Sequence, residues 1–188
     1  MTSAPHAHSH GEPEPHSQVH SHGSGPAVQG SRAVVITAST RAAAGVYTDR
    51  SGAIVVEALR SWGFDVADAV VVPDGAPTGA ALAEALDSEP RPALVVTTGG
   101  TGLRRDDRTP EETAPLLDQQ VPGIAEAIRA AGVAKGVPTA MLSRGLVGVA
   151  RGTLVVNLPG STGGVRDALE VLESVVHHAV DQIAGGDH

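Results

Sequence analysis

The sequence predicts an α/β fold with three layers, in which a mostly parallel sheet carries helices on both faces. Short apolar runs typical of buried strands alternate along the chain with segments whose apolar residues recur every three or four positions, as in amphipathic helices. The chain has 188 residues, of which 41% are hydrophobic and only 2% are aromatic. We therefore expect one compact domain whose core consists mainly of Ala, Val, Leu and Ile.

The same periodicity places the individual elements. We expect buried strands at Ala33–Thr37, Val66–Val72, Ala93–Thr97 and Thr153–Leu158. We expect helices at Ser51–Trp62, Gly79–Leu86 and Val165–Ile183. Strands that alternate with helices run mostly parallel in one sheet, and ligands of such folds bind at the carboxyl ends of the strands.

Residues 1–31 differ in composition from the rest of the chain. They are rich in Pro, Ser, Gly and His and contain no Lys or Arg. Because such a segment buries too little apolar surface to offset the entropy of ordering, we predict a disordered, His-rich tail at 1–31 and a folded domain at 32–185. Histidine-rich tracts can bind metals, so metal capture and a merely solubilising role remain alternatives for this tail.

Composition argues against several classes of protein. The chain has no cysteine, which excludes disulfides and thiolate nucleophiles. A formal net charge of −8 with few aromatic residues argues against nucleic-acid binding. No apolar run approaches the roughly 20 residues needed to span a bilayer, and no secretory signal opens the chain. We therefore expect a cytoplasmic protein with neither a membrane nor a nucleic acid as partner.

Three loops rich in glycine and hydroxyl groups follow predicted strands. They run over residues 39–49, 97–111 and 158–164. Glycines in such loops allow the backbone to approach a ligand and to turn N–H groups toward an anion, although a tight turn explains them equally well. Neither a dinucleotide-binding fingerprint nor a P-loop is present. Three such loops at one edge of a sheet favour a site for a phosphorylated small molecule.

Each loop also has an alternative, purely structural explanation. Asp106 and Asp107 stand among arginines and suit Mg²⁺ and phosphate oxygens, or else form a solvated, salt-bridged loop. Thr109 and Glu112 form a predicted capping box at the start of a helix. Ser161 either contributes to a phosphate site at a helix N-terminus or caps that helix. Asp74, in a Pro-Asp-Gly string, suits a turn as well as a site.

Taken in order, these motifs resemble the molybdenum-cofactor biosynthesis family that contains Mog/MoaB proteins and the adenylylating domains of gephyrin-type proteins. The resemblance runs from about Arg32 to Ile183. It rests on Ser39…Arg41…Gly45-Val46-Tyr47…Asp49, Pro73-Asp74, Thr98-Gly99-Gly100-Thr101-Gly102, Asp107…Thr109-Pro110-Glu111, Ser143-Arg144 and Leu158-Pro159-Gly160-Ser161.

The sequence departs from the family pattern at three positions. Thr40 stands where the first motif usually has Asp. Thr162 stands where Pro usually follows the Pro-Gly-Ser string, and Asp106 stands where an Arg or a similar residue often precedes the aspartate.

The resemblance implies a homotrimer with the molybdopterin-binding fold that uses Mg²⁺ and ATP to transfer AMP onto molybdopterin, with release of pyrophosphate. Asp74 and Asp107 match the family's functional aspartates, and we expect both to act in catalysis and to hold Mg²⁺. A molybdate-insertase is the expected protein partner. The expected substrate-binding residues are Ser39, Arg41, Thr98, Gly99, Gly100, Thr101, Gly102, Thr109, Glu111, Ser143, Arg144, Pro159, Gly160 and Ser161. The alternative is a non-catalytic molybdopterin-binding or scaffold protein of the same pathway.

Overall fold

One seven-stranded sheet forms the centre of the domain. The computed structural model describes Met1 and residues 28–186. Its strands are β1 (Arg32–Ala38), β2 (Asp65–Val66), β3 (Val70–Val72), β4 (Leu94–Thr98), β5 (Gln119–Gln120), β6 (Val147–Ala150) and β7 (Thr153–Leu158). Their order across the sheet is β2-β1-β4-β7-β6-β5, and β3 also pairs with β1.

Seven helices accompany these strands in the described part of the chain. They are α1 (Thr40–Ala43), α2 (Ser51–Ser61), α3 (Ala76–Asp87), α4 (Thr109–Thr113), α5 (Pro122–Ala134), α6 (Thr162–Glu173) and α7 (Val176–Ile183). Short 3₁₀ turns cover Ala114–Leu116 and Pro138–Leu142. Within the described residues, none of the helices is both long and apolar enough to cross a membrane.

The sheet is mostly parallel, as the sequence predicts. Strand β1 runs parallel to β2, β3 and β4, and β4 runs parallel to β7. Strand β6 runs antiparallel to both β7 and β5, at the edge of the sheet beyond β7. The carboxyl ends of β1, β4 and β7 therefore lie side by side, which is where an α/β sheet places its ligand site.

Side chains of the central strands alternate between two cores, one on each face of the sheet. Successive residues Val35 and Ile36 of β1 pack into different cores, because side chains of a strand point alternately to opposite faces. The larger core includes side chains of α2, α5, α6 and α7, whereas α3 contributes Leu82 and Leu86 to the smaller one. Helices thus cover both faces, and the predicted three-layer α/β fold is confirmed.

Several elements differ from the sequence predictions. The strand expected at Val66–Val72 is divided into β2 and β3, and Arg60 donates a hydrogen bond to Asp68 at 3.2 Å in the segment between them. The last helix is interrupted at Ser174, whose hydroxyl donates to the Val171 carbonyl at 2.7 Å and so competes with the backbone ladder. No element was predicted at α5, β5 or β6.

The folded domain begins earlier than predicted. Val28 is only 1% exposed and packs in the larger core, and the Ser31 N–H donates to the Val28 carbonyl at 2.9 Å. Residues 28–31 therefore belong to the domain, although the sequence placed them in the tail. Most of the predicted His-rich tail, residues 2–27, lies outside the described residues.

A buried asparagine joins the two central strands to the helix beyond them. The Asn157 amide donates to the hydroxyls of Thr97 at 3.0 Å and Thr113 at 3.1 Å. Its carbonyl oxygen accepts from the Leu146 N–H at 3.1 Å. Asn157 is 3% exposed and both threonines are also buried. Every hydrogen-bonding atom of this side chain is therefore used, as burial of an amide requires.

Replacing Asn157 by Leu, which has a similar volume, should lower the free energy of unfolding by about 1–3 kcal/mol, the cost of leaving a buried polar group without its partner. Urea denaturation of the two proteins measures this difference. Glu57→Gln on the exposed face of α2 is the control and should stay within about 0.5 kcal/mol of the wild type. Equal stability of Asn157→Leu and wild type would show that the hydrogen-bonded asparagine contributes nothing net.

Candidate functional site

A cavity of about 540 Å³ opens at the carboxyl ends of β1, β4 and β7. It brings together residues from all three predicted loops, although the first and the third are more than 100 positions apart in the sequence. The predicted site residues that line it are Ser39, Arg41, Thr98, Gly99, Gly100, Asp74, Asp107, Gly160 and Ser161.

The remaining predicted site residues lie behind the walls of this cavity. They are Thr101, Gly102, Thr109, Glu111, Ser143, Arg144 and Pro159. Ser143 and Arg144 instead line a second, smaller cavity of about 290 Å³. These residues contact the glycine loop after β4 or its neighbours, so they act on the shape of the first cavity.

Two glycines permit the close packing of the loop after β4. Gly99 and Gly100 have φ angles of +95° and +64°, in the left-handed region that favours glycine. A β-carbon on Gly99 would collide with the carbonyl oxygen of Ala38, and one on Gly100 would collide with the hydroxyl of Thr109. The Gly99 N–H donates to the Leu158 carbonyl at 3.2 Å, so this amide is not turned toward the cavity.

Thr109 donates a hydrogen bond to the loop after β4 instead of capping a helix. Its hydroxyl donates to the Gly99 carbonyl at 3.0 Å, and the residue is 0% exposed. The helix α4 has Arg108 as its N-cap, without a side-chain cap, so the predicted capping box does not form. Glu112 instead pairs with Arg108 at 3.6 Å. The loop carbonyl thus provides the hydrogen-bond partner that a buried hydroxyl needs.

Asp74 reaches the cavity from the turn after β3. Its Oδ2 accepts hydrogen bonds from the Thr40 backbone N–H at 2.8 Å and from the Thr40 hydroxyl at 2.9 Å. Its Oδ1 lies on the side of Gly100, where a β-carbon would be 3.1 Å away. The carboxylate is therefore held between the loops that follow β1 and β4.

Asp107 lies in the same cavity, on a turn that precedes α4. Its Oδ2 accepts from the Arg104 backbone N–H at 2.9 Å, and its own N–H donates to the Arg104 carbonyl at 3.1 Å. The neighbouring Asp106 also lines the cavity but is exposed and forms an ion pair with the Arg104 side chain at 3.5 Å. The salt-bridged alternative thus describes Asp106, whereas Asp107 is half-buried and fixed by the backbone.

Arg144 braces the loop that carries Asp107. Its guanidinium donates to the carbonyls of Gly102 at 2.8 Å and Asp107 at 2.5 Å, and it forms an ion pair with Glu111. The hydrogen bond from Arg144 lowers the pKa of the Glu111 carboxyl below its ordinary value. One arginine thus ties three points of the loop together, with the planar, forked geometry that lysine lacks.

Ser161 is the N-cap residue of the helix α6, at the edge of the cavity. Its hydroxyl accepts from the Gly164 N–H at 3.1 Å, so the capping alternative is confirmed. Ser161 and Thr162 nevertheless both line the cavity. The N-terminus of α6, with its partial positive charge, therefore faces the space that a phosphate group would occupy.

The site also contains residues that were not predicted as site residues. Tyr47 shares a hydrogen bond with the Ser39 hydroxyl at 2.7 Å, and the Arg41 guanidinium lies 5.3 Å from the centre of its ring. Asp49 accepts from the hydroxyls of Thr37 at 2.6 Å and Ser51 at 3.0 Å. Tyr47 and Asp49 both belong to the motif after β1, so their place in the sequence could have identified them as site residues.

Comparison with known proteins agrees with this arrangement. Residues 34–178 match the family model described as "Probable molybdopterin binding domain". Among solved structures, the molybdopterin biosynthesis Mog protein from Mycobacterium ulcerans is 55% identical, with a TM-score of 0.76, and the match covers 81% of this chain and 99% of that one.

Characterised relatives are similar over most of the chain. The molybdopterin adenylyltransferase of Helicobacter pylori strain J99 is 36% identical over 80% of this chain and 86% of its own length. The molybdenum cofactor biosynthesis bifunctional protein of Chlorobaculum tepidum is 40% identical over 84% of this chain, which spans only 50% of that protein. The chain belongs to the Mog/MoaB family of molybdopterin-binding domains.

Proposed function

We propose that the protein is a molybdopterin adenylyltransferase of molybdenum cofactor biosynthesis. An oxygen of the terminal phosphate of molybdopterin attacks the α-phosphorus of ATP, the bond to the β-phosphate breaks, and pyrophosphate leaves. The observation that carries the proposal is one cavity that joins Asp74, Asp107, the glycine loop and the N-terminus of α6. Curated relatives named molybdopterin adenylyltransferase, 32–36% identical, support it.

This reaction does not need a protein base. The nucleophile is a phosphate monoester, whose second pKa of about 6 leaves it mostly dianionic at neutral pH. Within the described part of the chain, the residues that line the cavity include no His, Lys or Cys. Catalysis therefore consists of holding the phosphate in line with the α-phosphorus and of neutralising charge, as in other phosphoryl and nucleotidyl transfers.

The charge of the cavity favours a divalent cation as part of the site. Three arginines and four aspartates line it, so the walls carry one negative charge in excess. Molybdopterin and ATP are both anions, and they must approach each other closely there. The arginines alone do not offset this repulsion, which a divalent cation would reduce.

The residues present fit Mg²⁺. Magnesium is usually held by one or two carboxylates together with water and substrate phosphates. Asp74 and Asp107 supply two carboxylates to one cavity, and the described residues include no group of three or more metal-ligating side chains that would form a complete protein site. Asp74 and Asp107 would hold the ion, and the ion would neutralise part of the charge on the triphosphate.

The other residues of the cavity bind and orient. Gly100, on the loop after β4, and Gly160, on the loop after β7, line the cavity, and their lack of a side chain lets them pack closely against Thr109 and Gly99. The N-terminus of α6 attracts a phosphate, while Ser39 and Arg41 offer polar contacts from the loop after β1. The residues behind the walls, Arg144 among them, keep these groups in place.

Incubation of the protein with molybdopterin, ATP and Mg²⁺, followed by separation of the products, tests this function. We expect adenylyl-molybdopterin and pyrophosphate in equal amounts. A protein that retains molybdopterin but releases no pyrophosphate would instead be the non-catalytic binding or scaffold protein.

Replacing Asp107 by Asn should preserve folding and molybdopterin binding but slow AMP transfer by on the order of 10²-fold or more, because a preorganised charge is lost while size is kept. Single-turnover measurements of AMP transfer, with molybdopterin binding measured separately, check this. Asp106→Asn is the matched control and should lose far less. A reversed order, with Asp106→Asn inactive and Asp107→Asn active, would contradict the assigned role.

Replacing Arg144 by Lys should lower the rate of AMP transfer by about 10²-fold, because a displaced loop moves Asp107 and misalignment near 1 Å costs about that much. Glu111→Gln, which removes one of the three anchors, should have a smaller effect. Steady-state kinetics of both variants measure the difference. If Arg144→Lys raises only the KM for molybdopterin and leaves kcat unchanged, Arg144 binds substrate directly, as the sequence had predicted.

Assembly and location complete the proposal. We propose a cytoplasmic homotrimer that works with a molybdate-insertase, as the family resemblance implies. Exposed apolar side chains at the end of α5 and in or just before the following 3₁₀ turn support contact between copies, namely those of Val133, Val137, Met141 and Leu142.

Light scattering at micromolar concentration should give three times the chain mass of 18.9 kDa. A mass of one chain would contradict the trimer.

A further inference from the structure

Thr40 and Asp74 hold each other through three hydrogen bonds. The Thr40 N–H and hydroxyl both donate to Asp74 Oδ2, at 2.8 and 2.9 Å. In return, the Asp74 N–H donates to the Thr40 hydroxyl oxygen at 3.2 Å. A hydroxyl has one proton and two lone pairs, so it can make both side-chain bonds at once. We call this arrangement the Thr40 clasp.

The clasp decides where the other oxygen of Asp74 points. All the bonds from Thr40 to the carboxylate fall on Oδ2, and Oδ1 lies on the side of Gly100 and the cavity. Asp74 follows the short strand β3 and precedes Gly75, and both hydrogen bonds that its carboxylate accepts come from Thr40. The carboxylate therefore depends on Thr40 for its direction.

We propose that Thr40 is a positioning residue that orients Asp74 Oδ1 toward the bound cation and triphosphate. This inference rests on the proposed function, since it assigns the geometry of the same site. Thr40 acts through Asp74, so its removal lowers the affinity for the cation–nucleotide complex and the rate of AMP transfer. It leaves molybdopterin binding in place.

The chemistry of the clasp requires a hydroxyl. The valine side chain has the shape of the threonine side chain but neither donates nor accepts a hydrogen bond. An ionised aspartate at this position only accepts, so it would repel Asp74 and add negative charge to a cavity whose walls already carry an excess. Serine keeps both functions of the hydroxyl. The three substitutions therefore separate shape, hydrogen bonding and charge.

Thr40 is well placed for such substitutions. The residue is exposed, and the short helix α1 that it begins has no buried residues. Changes here alter the site without opening a hole in either core, so the variants should fold and melt as the wild type does.

The test compares Thr40→Val, Thr40→Ser and Thr40→Asp with the wild type in the full-length protein. Binding of Mn²⁺ with α,β-methylene-ATP, a nucleotide that cannot be cleaved at the α-phosphate, is measured by electron paramagnetic resonance. The kcat for AMP transfer and the KM for molybdopterin are measured in parallel. We expect Thr40→Val to weaken Mn²⁺–nucleotide binding and lower kcat by on the order of tenfold, the effect of removing a hydrogen bond to a charged group.

In Thr40→Val we further expect an unchanged KM for molybdopterin. In Thr40→Ser, the Mn²⁺–nucleotide affinity and kcat should lie within about threefold of the wild type. Thr40→Asp should bind Mn²⁺–nucleotide more weakly than Thr40→Val does. The proposal would be overturned if Thr40→Val bound Mn²⁺–nucleotide with wild-type affinity, or if Thr40→Val and Thr40→Ser lost affinity equally. A wild type that binds Mn²⁺–nucleotide but transfers no AMP would overturn the proposed function alone, because the binding series still tests the clasp.

Discussion

A chain of buried hydrogen bonds connects the centre of the sheet to the glycine loop, and the site depends on it. Asn157 of β7 donates to the Thr113 hydroxyl, Thr113 donates to the Thr109 carbonyl at 2.7 Å, and the Thr109 hydroxyl donates to Gly99. All of these groups are out of contact with water, where breaking any bond leaves a partner unsatisfied. The position of the loop is therefore set by the core, and Gly99 can lie against the Ala38 carbonyl without a side chain between them.

The walls of the cavity are joined to one another in the same way. Thr98 donates to the Pro159 carbonyl at 2.7 Å and links the second and third loops. The Thr40 clasp links the first loop to Asp74, and Arg144 holds the segment with Asp107. These bonds join protein groups to one another, so the fold itself holds the groups that line the cavity. Such preorganisation is what a reaction without a protein base requires from its enzyme.

Strong periodicity made most of the fold predictable from the sequence. Strands β1, β4 and β7 are continuous apolar runs, and α2 and α6 have clear apolar faces. Strands β5 and β6 were missed because Gln119–Gln120 has no apolar pattern and β6 is short. The loops of the cavity were predictable as well, since chemistry-bearing residues cluster there. The sequence did not reveal on which side of a loop each residue lies, so the buried Thr109 resembled a helix cap, and the hydrogen bonds of Arg144 to the loop carbonyls could not be foreseen.

The central claim is that the protein positions a nucleophile that is already ionised. The pH dependence of kcat/KM for molybdopterin, measured at saturating Mg²⁺–ATP, tests it most directly, because this parameter reports ionisations of the free enzyme and free substrate. We expect a single rise with a midpoint at about pH 6, the second pKa of a phosphate monoester, followed by a plateau. A midpoint well above that value, or one that moves when a cavity side chain is replaced, would show that a protein group takes up the proton and would contradict the account.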